Sequence, residues 1–119
     1  MSAFLLGATG LLRGRRAATH WAYVDLLPLV GAHHEKARVV RDGNIVTAGG
    51  VTSGIDFAFR IVAELAGPEV AQAIQLGIEY DPSPLFGSGH PDTASQVAMA
   101  LMVQRNEKVH TGFSANSRN

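Results

Sequence analysis

The apolar positions in the first quarter of the chain predict a helix, a strand and a second helix. Residues 2–12 are apolar on nearly every side, which predicts a helix that is buried between other elements. Residues 17–19 form a short run typical of a buried strand. Residues 20–27 are apolar at helical spacing, and Pro28 and then Gly31 predict the end of that helix.

A β-hairpin is predicted in the middle of the chain. Two β-rich runs, residues 38–41 and 44–47, flank the dipeptide Asp42-Gly43, and this is the strongest short-range signal for a hairpin. Together with the single earlier strand, the hairpin provides too few strands for a self-sufficient sheet. The pattern therefore predicts an α/β chain that resembles the back half of a larger fold.

A central helix is predicted over residues 55–65. Ser53 can cap its N-terminus, with Asp56 placed to complete a capping box. The charged residues Asp56, Arg60 and Glu64 recur at four-residue intervals, so they form one narrow stripe supported by i,i+4 pairs. The other faces are apolar, which predicts a helix packed on a sheet with a thin strip in water.

The remainder of the chain predicts two more helices and a tail. Pro68 is placed in the first turn of one helix, and Asp92 or Thr93 can cap the last one. Residues 1–105 are expected to form one partial domain, and residues 106–119 a polar, disordered tail. The buried face of the helix that begins at Pro68 is predicted to consist of Val70, Ile74, Gly77 and Ile78.

Composition and charge exclude several classes of function. The 119 residues contain ten Lys and Arg, ten Asp and Glu, and no cysteine. Zero net charge argues against a nucleic-acid-binding protein, and the lack of cysteine removes disulfides and thiolate metal sites. No apolar run is long enough for a membrane helix, and no basic leader precedes the apolar N-terminus. We therefore expect a cytoplasmic protein with no cofactor, no bound metal, no nucleic-acid partner and no membrane partner.

Several ordered motifs strongly resemble the ThiJ/PfpI superfamily, whose members have a class I glutamine-amidotransferase-like flavodoxin fold. Within the superfamily the resemblance is to the isonitrile hydratase branch, and the regulatory domains of certain AraC-type transcription activators look similar too. The motifs follow the family order from residue 3 to residue 91. They are GRRAATHW at 14–21, VRDGNIVTAGGVTSGIDF at 40–57, LGIEYDPSP at 76–84 and HPDT at 90–93.

The resemblance implies the C-terminal part of a flavodoxin-like sandwich with a β-hairpin and an incomplete central sheet. In the family a cysteine nucleophile lies at the N-terminus of an apolar helix, where the helix dipole and free N–H groups favour the thiolate. Residues 4–12 match that helix, and Met1 and Ser2 fall at the positions of the Thr and Gly after the cysteine. The cysteine is therefore expected immediately before Met1, and this chain alone is expected to be inactive.

The same resemblance assigns the candidate site residues. His20 matches the family histidine that follows the strand after the nucleophile helix, and Thr19 lies beside it. Gly49, Gly50 and Val51 match the backbone that approaches the pocket from the other side. We expect His20 at the catalytic position and the other four residues as pocket lining.

Three other polar clusters are better explained by ordinary structure than by chemistry. Adjacent histidines point in different directions and lack a third ligand, so a solvated loop is expected there. An arginine cluster predicts a solvent-facing turn, and a Thr-Ser pair is explained by helix capping. These clusters are His33-His34-Glu35, Arg13 with Arg15 and Arg16, and Thr52-Ser53.

Three hypotheses for function follow. The first is an isonitrile-hydratase-like protein that hydrates a small isonitrile to an N-substituted formamide through a cysteine thiolate. The second is a non-enzymatic sensing or dimerisation module like the regulatory domain of an AraC-type activator. The third is a gene fragment. In each case the incomplete sheet is expected to leave apolar surface exposed, which predicts a homo-oligomer.

Overall fold

The computed structural model describes residues 2–116, which fall into two compact units, Met1–Asp81 and Pro82–Asn119. The first unit contains all of the described strands and four of the five described helices. Its helices are α1 (Ser2–Ala8), a 3-10 helix (Trp21–Val30), α2 (Ser53–Ala66) and α3 (Pro68–Gly77), and its strands are β1 (Arg16–Ala17), β2 (His33–His34), β3 (Val39–Asp42) and β4 (Ile45–Ala48). In the second unit, one helix, α4 (Gln96–Asn116), is described.

The strands form two small sheets, as the α/β prediction with an incomplete sheet expects. β1 and β2 are parallel, with Arg16 opposite His33, and β3 and β4 form the predicted antiparallel hairpin. The prediction of a solvated loop at His33 and His34 is wrong. Both side chains are exposed, but their backbone pairs with β1, because the carbonyl of Arg15 accepts a hydrogen bond from the His33 N–H at 2.8 Å.

The hairpin turn lies one residue later than its sequence signal indicates. Asp42 pairs with Ile45, so the two loop residues are Gly43 and Asn44. Gly43 has a φ of 63° at the first loop position, which is where a type II′ turn requires glycine. Asp42 is thereby left in the strand, where its carboxylate accepts a hydrogen bond from the Arg16 N–H at 2.8 Å. That bond connects the hairpin to β1.

The core is built from small side chains and two leucines. Leu12 and Leu27 are fully buried, and they pack with Ala3, Ala17 and Ala32. The prediction that the opening helix is buried on all sides is wrong, because Leu5 is 77% exposed. Only one side of α1 faces the 3-10 helix.

The second helical segment is a 3-10 helix that continues past Pro28. Gly31 ends it with a φ of 74°, and the Gly31 N–H donates to the Pro28 carbonyl at 3.0 Å. The predicted stop at Gly31 is therefore confirmed, while Pro28 does not end the helix. Of the ten residues in this helix, only Leu27 is fully buried.

The charged stripe of α2 binds the hairpin instead of pairing within the helix. Asp56 accepts a hydrogen bond from Arg38 Nε, and Glu64 forms an ion pair with Arg41 at 2.6 Å. The predicted capping box is wrong. Thr52 is the N-cap and makes no capping bond with its side chain, and Ser53 is buried in the first turn. Arg38, which directly precedes β3, and Arg41 of β3 reach these carboxylates because the hairpin lies against α2.

The buried residue of α3 and the N-cap residue of α4 both differ from the sequence prediction. Ala71 is the one buried residue of α3, whereas Val70, Ile74 and Ile78 are exposed, so the predicted buried face is wrong. Ser95, not Asp92 or Thr93, caps α4, since its hydroxyl accepts a hydrogen bond from the Ala98 N–H at 3.2 Å.

The backbone of α4 continues into the segment predicted to be a tail. The helix runs to Asn116, so the polar composition after residue 105 does not mark the end of regular structure in the described residues. No proline interrupts residues 96–116. The disorder of residues 106–119 in solution stays a prediction, and residues 117–119 lie outside the described residues.

Gly7 is required where α1 approaches the 3-10 helix. A Cβ atom built at Gly7 would lie 2.6 Å from Val30 Cβ, closer than real contacts allow. We expect Gly7→Ala to lower the free energy of unfolding by ~1–3 kcal/mol, because the helices must separate. Gly54→Ala in α2 is the matched control, since its added Cβ meets nothing within 4 Å and alanine favours a helix. Urea denaturation of both variants tests this expectation, which equal stabilities would contradict.

Candidate functional site

The candidate site begins where β1 ends. Ala17 and Ala18 are completely buried, Thr19 is 7% exposed, and His20 is half-buried at the start of the 3-10 helix. The strand is short because its buried residues are small and its neighbour β2 contributes only two residues. The buried strand end holds His20 at a fixed position at the edge of the core.

His20 is the N-cap residue of the 3-10 helix, and the capping hydrogen bond fixes its side chain. Its backbone is extended (φ −60°, ψ 140°), and its Nδ1 atom accepts a hydrogen bond from the Ala22 N–H at 3.2 Å. Because Nδ1 is an acceptor, the neutral ring carries its proton on Nε2. Burial lowers the pKa of His20 below 6.5, which favours this neutral form. His20 can therefore donate a hydrogen bond from Nε2.

Aromatic rings flank the His20 imidazole. The ring centroids of Trp21 and Tyr23 lie 5.3 Å and 5.8 Å from that of His20, and both pairs are tilted. Tyr23 also meets Phe4 of α1 edge-on at 6.4 Å. These contacts connect the imidazole to the helix that the resemblance assigns to the nucleophile.

The glycine pair after β4 approaches the end of β1 closely. A Cβ atom at Gly50 would lie 3.4 Å from His20 Cδ2, and one at Gly49 would lie 3.5 Å from the Thr19 carbonyl oxygen. The Gly49 N–H donates to the Arg38 carbonyl at 2.8 Å, which holds the segment in place. The structure therefore brings four of the predicted site residues together.

Val51 is the predicted pocket residue that the described structure does not bring to His20. Its side chain is 96% exposed and contacts no core residue. The two glycines before it let the backbone turn sharply into α2, and Val51 is carried outward at this turn.

Two buried hydroxyl residues lie next to the glycine pair. Thr19 Oγ1 is buried and has no hydrogen-bond partner among the described residues. Ser53 is 2% exposed, and its Oγ lies 3.4 Å from a Cβ atom built at Gly49. Sequence reasoning assigned Ser53 to capping and missed its position here. A small polar residue three positions after a Gly-Gly pair, where its N–H bonds to the Gly50 carbonyl at 2.9 Å, is the signal that could have identified it.

Thr47 is a second residue that sequence reasoning missed. Its Oγ1 accepts a hydrogen bond from the buried Ala18 N–H at 2.8 Å, which joins β4 to the strand that leads to His20. Thr47 therefore supports the site from the hairpin side.

The arginine cluster at β1 is engaged in ion pairs. Arg16 Nη1 lies 2.7 Å from Glu35 Oε2, and Arg15 Nη1 lies 3.7 Å from Asp42 Oδ1. These pairs are partly exposed, so each contributes little stability. The pair of Arg15 with Asp42 connects the segment before β1 to the hairpin. Among residues 2–116, no group of three or more metal-ligating side chains is placed to hold an ion. None of the helices described is long and apolar enough to cross a membrane.

The strands and helices, with a histidine after a buried strand and a Gly-Gly turn beside it, define part of a flavodoxin-like α/β protein. The model of the DJ-1/PfpI family matches residues 1–64. The chain belongs to the DJ-1/PfpI family.

Known relatives agree with this assignment and are longer than the chain. The isonitrile hydratase of Pseudomonas putida is 61% identical over 90 residues, which are 76% of this chain and 40% of that protein. The crystal structure of a ThiJ/PfpI family protein from Pseudomonas syringae superposes with a TM-score of 0.84 at 43% identity, covering 90% of this chain and 44% of the other. An HTH-type transcriptional regulator of Rhizobium meliloti is 36% identical over 60% of this chain and 23% of its own length. The matches thus span about two fifths of the length of the isonitrile hydratase and of the solved ThiJ/PfpI family protein.

The lowered pKa of His20 predicts a loss of stability in acid. In the unfolded chain His20 takes up a proton near pH 6.5, whereas in the folded chain it resists protonation. Stability is therefore fully present above pH 6.5 and falls as the pH drops below it. His20→Asn keeps an acceptor for the Ala22 N–H and removes the titration, so we expect a flatter dependence of unfolding free energy on pH.

The measurement is chemical denaturation at a series of pH values from neutral to mildly acidic. His34→Asn is the matched control, since it removes an exposed histidine from β2 and leaves the cap intact. The His34→Asn variant is expected to lose as much unfolding free energy at acidic pH as the unmodified chain does. A profile for His20→Asn that matches the control would show that His20 does not cause the loss.

Proposed function

We propose that this chain provides the histidine side of an isonitrile-hydratase-like site, to which a cysteine outside the chain supplies the nucleophile. The observation that carries the proposal is the approach of Gly50 to His20 in a chain that is 61% identical to an isonitrile hydratase over 90 residues. The chain contains no cysteine, so it has no thiolate of its own. Alone it is expected to be inactive.

The proposed reaction forms and then breaks one C–S bond. The thiolate attacks the isonitrile carbon, which also takes up a proton, and a thioimidate (R–N=CH–S–Cys) results. Water adds across its C=N bond, and collapse of the adduct expels the thiolate and leaves the N-substituted formamide. The sum is one isonitrile and one water in, and one formamide out.

His20 acts in this proposal as a hydrogen-bond donor. Its Nδ1 is occupied by the Ala22 N–H, so Nε2–H is the group free to face the site. A neutral donor stabilises the thiolate and the negative charge that develops during attack, without itself losing a proton. The lowered pKa of His20 supports this neutral role.

The pocket lining is proposed from the same geometry. Gly50 lies beside the imidazole and Gly49 beside the Thr19 carbonyl, and the absence of side chains on the glycines leaves room for a small substrate. Val51 is exposed in this chain, so it lines the pocket only when further residues cover it. The substrate is expected to be a small isonitrile, and the location cytoplasmic.

A sensing or dimerisation module is the second candidate. The similarity to a transcriptional regulator of Rhizobium meliloti favours it. Among the described residues after Asp81, α4 is the one helix, whereas a helix-turn-helix needs two. DNA binding is therefore not proposed for this chain, and a small-molecule sensing role would use the same His20 pocket.

The enzyme proposal is tested by supplying the cysteine. The chain alone is expected to give no formamide from a small alkyl isonitrile. Fusion to the segment that precedes the matched region in the Pseudomonas putida enzyme, including its cysteine, is expected to restore turnover, as followed by chromatography of the formamide. His20→Asn in this fusion is expected to lower kcat/KM by ~10²-fold, because one donor to the developing charge is lost.

The control for that experiment is His34→Asn, whose exposed side chain lies outside the site. Its turnover is expected to equal that of the unmodified fusion. A fusion that binds the isonitrile without converting it would favour the sensing module. Turnover by the chain alone would contradict the role given to the external cysteine.

We further propose that the chain forms a homo-oligomer. Large apolar side chains of the first unit remain exposed, including Leu5, Leu29, Leu65 and Leu76. Burial of such surface is favourable at ~25 cal/mol per Å², so association is expected to increase with concentration. Size-exclusion chromatography with light scattering measures it, and a monomer that persists at high concentration would refute the prediction.

A further inference from the structure

Thr19 has a buried hydroxyl that the fold does not use. The residue is 7% exposed, and its Oγ1 has no hydrogen-bond partner among the described residues. A buried hydroxyl without a partner is unfavourable, because it has lost its hydrogen bonds to water and gained none in return. Valine has nearly the same shape and would fill this place without that cost.

Neighbouring polar groups already have partners. The Ala18 N–H donates to Thr47 Oγ1 at 2.8 Å, and the Gly49 N–H donates to the Arg38 carbonyl at 2.8 Å. Thr19 is therefore not needed to satisfy either of these backbone groups. Its hydroxyl is free to bind a group that is not part of the described chain.

We infer that Thr19 is a further catalytic residue of the proposed site, whose hydroxyl binds the water that hydrates the thioimidate. The inference rests on the proposed function. Thr19 directly precedes His20, and its carbonyl oxygen would lie 3.5 Å from a Cβ atom at Gly49, so the residue belongs to the strand end that forms the site.

The chemistry of the reactants selects water as the ligand. An isonitrile has no hydrogen-bond donor and offers a single lone pair on carbon, whereas a hydroxyl both donates and accepts. Water matches both properties, and buried waters typically bond to otherwise unsatisfied polar groups. Thr19 accordingly serves the second half of the reaction and not the attack of the thiolate.

In the hydration step, Thr19 Oγ1 accepts a hydrogen bond from the water while the water oxygen bonds to the thioimidate carbon. The C=N π electrons move to nitrogen, which takes up the proton that the water loses, and the product is R–NH–CH(OH)–S–Cys. The C–S bond then breaks, the sulfur leaves as thiolate, and the hydroxyl proton is released to solvent. The Thr19 O–H can donate to the same oxygen as it becomes the formyl oxygen.

The test uses the fusion protein described above and a small alkyl isonitrile, with intact-mass spectrometry of the cysteine adduct. Thr19→Val is expected to form the thioimidate as fast as the unmodified protein and to hydrolyse it ~10²-fold more slowly, so that the adduct accumulates. Thr19→Ser keeps the hydroxyl and is expected to show no accumulation. Thr19→Ala removes the hydroxyl without a replacement methyl group and is expected to accumulate the adduct like Thr19→Val.

The outcomes separate this inference from the proposed function. Hydrolysis at the unmodified rate in both Thr19→Val and Thr19→Ala overturns the role of Thr19 and leaves the enzyme proposal standing. Slow adduct formation in the Val, Ala and Ser variants alike shows that Thr19 serves packing, which also overturns the inference. If the unmodified fusion forms neither adduct nor formamide, the proposed function fails and the inference fails with it.

Discussion

The close approach between the end of β1 and the turn after β4 is the constraint on which the site depends. Side chains at Gly49 or Gly50 would lie against the Thr19 carbonyl or the His20 ring. The approach is held from both sides, since Thr47 binds the Ala18 N–H of the first segment and the Gly49 N–H binds the Arg38 carbonyl within the hairpin. Loss of either hydrogen bond would separate the two halves of the site.

A backbone hydrogen bond decides what His20 can do. The Ala22 N–H occupies Nδ1 because the strand ends in extended backbone and a 3-10 helix begins one residue later. The same contact that caps the helix therefore fixes the tautomer and directs Nε2–H away from the cap. His20 is both the N-cap of the 3-10 helix and the candidate hydrogen-bond donor of the site. A change in where this helix begins would therefore change which imidazole nitrogen can donate.

The exposed apolar side chains agree with the length of the relatives. The chain spans 40% of the isonitrile hydratase and 44% of the solved ThiJ/PfpI structure. Two sheets of two strands bury alanines and two leucines but leave Leu5 and Leu65 in contact with solvent. Exposed apolar surface of this extent is typical of a face that contacts another protein surface.

The sequence by itself determined the family and those elements whose ends depend on local backbone preferences. The Asp-Gly hairpin signal, the glycine stop at Gly31 and the helix start at Pro68 all rest on local backbone preferences, which act without tertiary contacts. The order of motifs also predicted His20 and the Gly49-Gly50 pair as site residues, because a family resemblance is carried by residue types in sequence, and the structure places Gly50 beside His20.

Tertiary structure decided which charged side chains pair and which side chains are buried or exposed. Asp56 binds Arg38 and Glu64 binds Arg41 because the hairpin lies against α2, and no spacing within the helix could show this. The orphaned hydroxyl of Thr19, the burial of Ser53 and the exposure of Val51 likewise depend on which segments meet. Local sequence fixes backbone conformation within a few residues, whereas burial and pairing arise between residues far apart in the chain, so only the folded structure could assign them.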